Sequence, residues 1–254
     1  MRISRALALA GIDSRRKCEQ YVLDGVVGVN GKVVDRLSAQ VDLENDQITF
    51  RGRLLVYEAY TYYLLNKPKG YITTASDPHA GKTVFELLPR KLVCKTSQKS
   101  SQSQRVFAVG RLDKDSMGLL LFTNDGDLAH KLSHPRYQVG KWYEVRLDRA
   151  FDARDKSTLL KGIRLREGIA TVKQIKTITK RVLHVLICEG KNREVRRVFE
   201  HLDYEVVDLI RIAYASLLIS GLKLGTGRYL NKTEVESLKK LVSKVPEREK
   251  KQKK

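Results

Sequence analysis

Acidic residues are scarce in this chain: 29 Asp and Glu stand against 49 Lys and Arg in 254 residues, a formal net charge of +20. That imbalance argues against a merely soluble basic protein and implies a polyanionic partner, either nucleic acid or an anionic membrane surface. Long apolar runs are missing as well. The densest, Leu119-Leu120-Leu121-Phe122, has the length of a strand, and nothing approaches the roughly 20 apolar residues of a membrane span. The opening MRISRALALAGIDSRR is basic and then apolar, as a signal peptide is. Its apolar part is short, however, and Asp13 and Arg15 follow at once, so it reads as a helix of the mature chain. The expected partner is nucleic acid in the cytoplasm.

Cysteine and histidine are also few. Cys18, Cys94 and Cys188 lie far apart and form no CxxC, which excludes a disulfide framework or a zinc site. His130 and His134 stand four apart, but no glutamate follows His130, and Pro135 ends the segment. A packing role at a helix end fits them better than metal binding, and no metal is expected. What the chain does have is apolar content: 42% of residues are hydrophobic, enough for a sizeable core and against global disorder.

The first 50 residues read as a small module. Ile3, Leu7 and Ala10 recur at helical spacing before Gly11. A second helix runs from about Ser14 to Leu23, with Cys18, Tyr21 and Val22 inward and Gly25 as its stop. Asn30-Gly31 between branched residues (VVGVNGKVV) is a hairpin signal, and a further short strand ends near Ile48 and Phe50. Arg2, Arg5, Arg15, Arg16 and Lys17 crowd the helical part. Their clustering favours a phosphate-binding surface over an ordinary solvated face.

Residues 51–60 read as a linker and Tyr60–Leu65 as a strand broken by Asn66-Lys67-Pro68-Lys69-Gly70. Thr83–Leu88 is a short helical or irregular element. Residues 90–105 carry five cations and no acid and are rich in Ser and Gln, the composition of a mobile basic loop. Strands and helices then alternate from Val106 to about Val242. Residues 239–254 hold eight Lys and Arg against Glu247 and Glu249, and read as a disordered tail available to phosphates.

The segment GRLDKDSMGLLLFTNDG (110–126) reads as a strand end, a turn holding Asp113, an apolar strand and an Asn-Asp-Gly turn. Loops at strand ends are where scaffolds display reactive side chains. On spacing alone the ordinary reading of Asp113 is still a turn residue satisfying nearby backbone donors.

Two resemblances sharpen these readings. Residues 1–50, RISRALALAGIDSRRKCEQYVLDGVVGVNGKVV above all, resemble the S4-like RNA-binding domain, which implies binding to structured RNA. GRLDKDSMGLLLFTNDG resembles the catalytic signature of the RsuA/RluB family of pseudouridine synthases. A related branch carries His where this chain has Gly110. NKPKG (66–70), Lys141-Trp142-Tyr143-Glu144-Val145 and Glu189-Gly190-Lys191-Asn192-Arg193-Glu194-Val195-Arg196-Arg197 resemble that family's other motifs in the same order.

The resemblance implies an α+β protein: a small S4-like module (1–58), a catalytic domain with a large mixed, mainly antiparallel sheet (59–245), and a basic tail (246–254). It implies isomerisation of a uridine to pseudouridine in ribosomal RNA. The N1–C1′ bond breaks, the uracil turns, and C5 joins C1′, so nothing is oxidised and no cofactor is needed. A carboxylate suits this, because it can add covalently or take a proton and later leave.

The matched aspartate is Asp113, the implied nucleophile. Arg196 is implied as its cationic partner; the alternative for Arg196 is a phosphate contact. Tyr143 is implied to stack on the target uracil, although a core aromatic is the ordinary reading. Arg111 is implied to fill the space the flipped nucleotide leaves; the alternative for it is a surface phosphate contact. Lys67, Lys191, Arg193 and Arg197 complete the implied RNA contacts, while Asn66, Lys67 and Pro68 fit turn chemistry equally well.

KTVFELLP (82–89), NREVRRVFEHL (192–202) and LIRIAY (209–214) resemble the RluB-type members, which implies large-subunit rRNA. The alternatives are small-subunit rRNA and a non-catalytic rRNA-binding or ribosome-assembly factor. A monomer is expected. The loop at 90–105 is longer and more polar than the family pattern, a departure that bears on substrate details.

Overall fold

A computed structural model describes residues 1–57, 59–74, 81–93 and 105–243. The chain divides into two compact units. The first is built on Met1–Thr61. Helices α1 (Ile3–Leu9) and α2 (Arg15–Leu23) pack over a four-stranded antiparallel sheet of β1 (Val27–Val29), β2 (Lys32–Val33), β3 (Ile48–Phe50) and β4 (Arg53–Leu54), in the order β2-β1-β3-β4. The 3.6-residue period explains the core: Ile3, Ala6, Leu7, Cys18 and Val22 are buried with Val27, Val41 and Ile48. Ser14 caps α2 by accepting from the Lys17 amide. Asn30 and Gly31 both take positive φ, as the expected two-residue hairpin requires.

The linker reading of 51–60 needs correction in its first half. Arg51 and Gly52 both adopt positive φ and turn the chain back so that β4 pairs with β3. That Arg-Gly turn lacks the familiar Asn-Gly signature. Of the five clustered cations, Arg2, Arg15, Arg16 and Lys17 are exposed and Arg5 is half-buried. Arg15 pairs with Glu19 at 3.4 Å, and Lys17 with the buried Asp13 at 3.6 Å. Arg105 reaches the same Asp13 at 2.8 Å. Residues 94–104 of the expected basic loop, including Cys94, lie outside the described residues, and Arg90–Leu92 forms a 3-10 turn.

The second unit holds β5 (Tyr62–Lys67), β6 (Phe107–Ala108), β7 (Met117–Thr123), α3 (Gly126–Ser133), β8 (Lys141–Leu147), α4 (Asp155–Lys161), β9 (Ile163–Leu165), β10 (Gly168–Ala170), β11 (Gln174–Thr177), β12 (Val182–Ile187), α5 (Glu194–Glu200), β13 (Val206–Tyr214), β14 (Leu217–Leu218), β15 (Gly227–Tyr229) and α6 (Lys232–Ser243). Seven strands run in the order β11-β12-β8-β13-β7-β5-β15, with β14 on β13 and β6 on β7. Every pair in this sheet is antiparallel except β13 with β7, which is parallel. It is the mixed, mainly antiparallel sheet of an α+β fold.

β5 and β7 are buried along almost their whole length, as the continuous apolar run of a sheet centre demands. Leu64, Leu119 and Leu121 pack with Leu128 and Leu132 of α3 and Leu238 and Val242 of α6. Two boundaries shift from expectation. Asn66 and Lys67 stay in β5, because Lys67 pairs with Gly118 of β7 and the strand breaks only at Pro68. Lys239 and Lys240 belong to α6, not to a tail; residues 244–254 are outside the described part. His130 stacks near His134 and Tyr137, with ring centroids 5.1 and 6.5 Å away, the packing role foreseen for it.

Candidate active site

The turn between β6 and β7 carries Asp113, and its shape is held by backbone carbonyls gathered around one buried cation. Lys67 is 0% exposed. Its Nζ donates to the carbonyls of Ser116 (2.7 Å), Asp113 (3.0 Å), Pro68 (3.1 Å) and Lys114 (3.2 Å). Burial pulls its pKa down to about 8, while the charges of Asp113 and Asp115 pull the other way. The Gly70 amide donates to Lys114 O at 2.9 Å. The Thr73 hydroxyl donates to Leu112 O at 2.8 Å. The NKPKG segment is thus the cradle of the Asp113 turn. Lys67 is no RNA contact, as the expected role had it: an ammonium enclosed by four carbonyls has no face left for a phosphate.

The Asp113 carboxylate is partly exposed and opens into a cleft of about 90 Å³. Arg111, Ser116, Tyr143, Ile187, Arg193 and Glu194 are among its lining residues. Tyr143, from the middle of β8, is brought to the same cleft from a distant part of the chain. Among the described residues the cation that meets the Asp113 carboxylate is Arg193, with Nη1 4.0 Å from Oδ2. Arg193 precedes α5 with φ +46, a backbone conformation that turns the chain sharply at the cleft.

The structure does not bring Arg196 to the Asp113 carboxylate. Arg196 is 8% exposed; it donates to Val206 O at 2.5 Å and to Asp115 O at 3.4 Å. It supports the turn from behind, because β13 and the turn carbonyls reach it first. Lys191 lines the cleft but is tied to Glu189 and to Ile169 O. Arg197 is paired with Glu167 at 2.8 Å. Arg111 and Arg193 remain exposed at the cleft.

Three residues near the site carried no role in the sequence reading. Lys141 is 9% exposed, donates to Glu189 O at 2.9 Å, and is pushed down to about 8 by burial and by Arg211. Glu194 is 4% exposed; one oxygen accepts from the Lys191 amide at 3.1 Å and burial raises its pKa. Arg211 is 2% exposed within the apolar run 209–213 of β13. A lone charge inside an apolar run was a signal available in the sequence. Among the described residues, no group of three His, Cys, Asp or Glu is placed to hold a metal, and no helix is long and apolar enough to cross a membrane.

A carboxylate displayed on a braced turn, an aromatic ring in the same cleft and exposed guanidinium groups beside them suit covalent or proton-transfer chemistry on a base of a polyanion. The comparisons agree. The family model for RNA pseudouridylate synthase matches residues 61–201, and that for the S4 domain matches residues 1–48. The chain therefore belongs to the RNA pseudouridylate synthase family, with an S4 domain at its N-terminus. It is 37% identical to ribosomal large subunit pseudouridine synthase B of Bacillus subtilis (strain 168), over 94% of this chain and 96% of that protein. It is 35% identical to the protein of the same name in Haemophilus influenzae, over 95% of this chain and 68% of that one. A solved structure described as a pseudouridylate synthase superposes with a TM-score of 0.65 at 26% identity, covering 94% of this chain and 99% of that one.

Proposed function

We propose that this enzyme converts a specific uridine of large-subunit ribosomal RNA to pseudouridine, with Asp113 as the reacting carboxylate. One observation carries the reading: Asp113 and Tyr143, far apart in the chain, line one cleft with Arg111 and Arg193. The Bacillus subtilis and Haemophilus influenzae relatives, which match nearly the whole chain, are named for the large ribosomal subunit, which supports that substrate.

In the reaction the N1–C1′ bond breaks, C5 bonds to C1′, the C5 proton leaves to solvent, and N1 gains a proton. An ionised Asp113 either adds to a carbon of the nucleotide or removes a proton from it; either course needs the uridine out of its stack. Extraction costs a few kcal/mol, less for an unpaired base, so a loop uridine is the favoured target. Tyr143 offers the stacking surface. Arg193, 4.0 Å away, is the cation that faces the carboxylate, and Arg111 occupies the gap left by the base. Arg2, Arg5, Arg15, Arg16 and Lys17 contribute phosphate contacts from the N-terminal module. The working organisation is an RNA-binding module (1–58), a catalytic domain (59–245) and a basic tail (246–254), acting as a cytoplasmic monomer on rRNA.

The test is position-resolved pseudouridine mapping of rRNA from cells carrying Asp113→Asn. One rRNA position should lose its pseudouridine while the purified variant still folds and binds RNA. An unchanged map would refute the assignment.

A further inference from the structure

Arg211 leads the fully buried side chains in volume, at 2% exposed in the middle of β13. Its neighbours Leu209, Ile210, Ile212 and Ala213 are all apolar. Its Nε donates to Leu119 O of β7 at 2.6 Å, Nη1 reaches the Tyr143 hydroxyl at 3.5 Å, and Nη2 has no partner. The guanidinium lies 5.0 Å from the Tyr214 ring centroid. Among the described residues no carboxylate forms an ion pair with it. Burying a charge on these terms costs several kcal/mol, and an apolar side chain of similar volume would fill a sheet interior without that cost. Packing therefore does not account for Arg211.

Its surroundings fix where its charge sits. In the sheet Arg211 is directly opposite Tyr143 on one side and Gly118 on the other. A Cβ at Gly118 would collide with the Arg211 backbone, so β7 approaches β13 as closely as a glycine permits. The Leu119 carbonyl then grips the guanidinium from that side, leaving one arm of the fork to meet the phenol. Tyr143 itself lines the cleft. Holding a phenol by its hydroxyl fixes the ring plane, which the side chain's two torsions alone leave adjustable.

We propose that Arg211 is a positioning residue: from beneath the cleft it holds the Tyr143 hydroxyl and so sets the plane on which the target uracil stacks. It touches neither the RNA nor Asp113. This rests on the reading of the cleft as the uridine site. A ring that tilts or slides costs rate, because errors near 1 Å in a reacting geometry are worth up to about a hundredfold. It costs little affinity, because phosphate contacts made elsewhere dominate RNA binding.

The experiment measures single-turnover pseudouridine formation and RNA binding for the full chain carrying Arg211→Met, Tyr143→Phe or both, with Asp113→Asn alongside. Arg211→Met should slow conversion about ten- to hundredfold while the Kd for RNA changes by less than about twofold. Tyr143→Phe should slow it by a comparable factor. The double variant should be no slower than the slower single, since both changes remove one interaction. Arg211→Met at the wild-type rate, Tyr143→Phe at the wild-type rate, or slowing that multiplies in the double variant each overturns the proposal.

If Arg211→Met fails to fold, Arg211→Lys replaces it, keeping the charge but losing the fork, with the same expectations. Asp113→Asn separates the two levels. If it retains activity, the reading of the cleft fails and this inference with it. If it is inactive and Arg211→Met is unimpaired, only this inference fails.

Discussion

Replacing Lys67 by methionine tests whether the Asp113 turn is built around a buried ammonium. Methionine is of similar length and apolar, so the cavity stays filled while the donors vanish. Four carbonyls, of Pro68, Asp113, Lys114 and Ser116, lose their shared partner. Hydrogen bonds to a charged group contribute about 1.5–3 kcal/mol each, and a buried acceptor left unmet costs about 1–3 kcal/mol. Against this stands the cost of burying the ammonium, several kcal/mol, which the variant no longer carries. The balance leaves the variant about 2–4 kcal/mol less stable. At about 2–4 °C per kcal/mol for a protein of this size, the Tm should fall by about 5–15 °C.

The second effect is on rate. The freed turn carries Asp113, so its carboxylate is no longer held in one place, and conversion should slow by about ten- to a hundredfold. Thermal melts give the first quantity. Single-turnover release of tritium from RNA labelled at uracil C5 gives the second, at a temperature where the variant is folded. A variant that melts and reacts like the wild type would refute the idea that this cation organises the turn.

Two further outcomes follow from the same region. Gly118 sits at φ +103, where a Cβ would strike the backbone of Arg211; Gly118→Ala should cost more than about 3 kcal/mol in a denaturant melt, and a loss under 1 kcal/mol would contradict the close β7–β13 approach. Lys67 and Lys141 are both held at about 8, against the ordinary 10.5. Between those values the unfolded chain binds more protons than the folded one at these two sites, so stability rises with pH from about 8 to 9; from about 9 upward the thiols of Cys18 and Cys188, whose pKa values burial raises, and then Tyr214, raised likewise, act in the opposite sense. The check is the denaturant midpoint across that range, and a flat or falling midpoint would count against the two buried ammonium groups.

Local patterns and chemistry were legible in the residues themselves. The helical spacing of Ile3, Leu7 and Ala10, the Asn30-Gly31 hairpin and the apolar run of β7 depend on neighbours in the chain, so a local reading found them. The charge of +20 pointed to a polyanion for the same reason: charge adds up without regard to fold. The motif around Asp113 was legible by resemblance, and so was the expectation that Tyr143 shares its site. The Arg51-Gly52 turn was missed because positive φ there rests on one glycine without the usual asparagine before it.

What only the tertiary structure decided is the allocation of the basic residues. Lys67, Arg111, Arg193, Arg196 and Arg211 are all cations in or near the motifs, and sequence spacing cannot separate them. The fold encloses Lys67 in carbonyls, sets Arg196 behind the turn, leaves Arg193 facing Asp113, and buries Arg211 against Tyr143. The reason is geometric. Which partner a guanidinium or ammonium meets is set by strands β5, β7, β8 and β13 lying side by side in one sheet, and those four segments are brought together by pairing such as Lys67 with Gly118 and Arg211 with Gly118, between residues far apart in the chain.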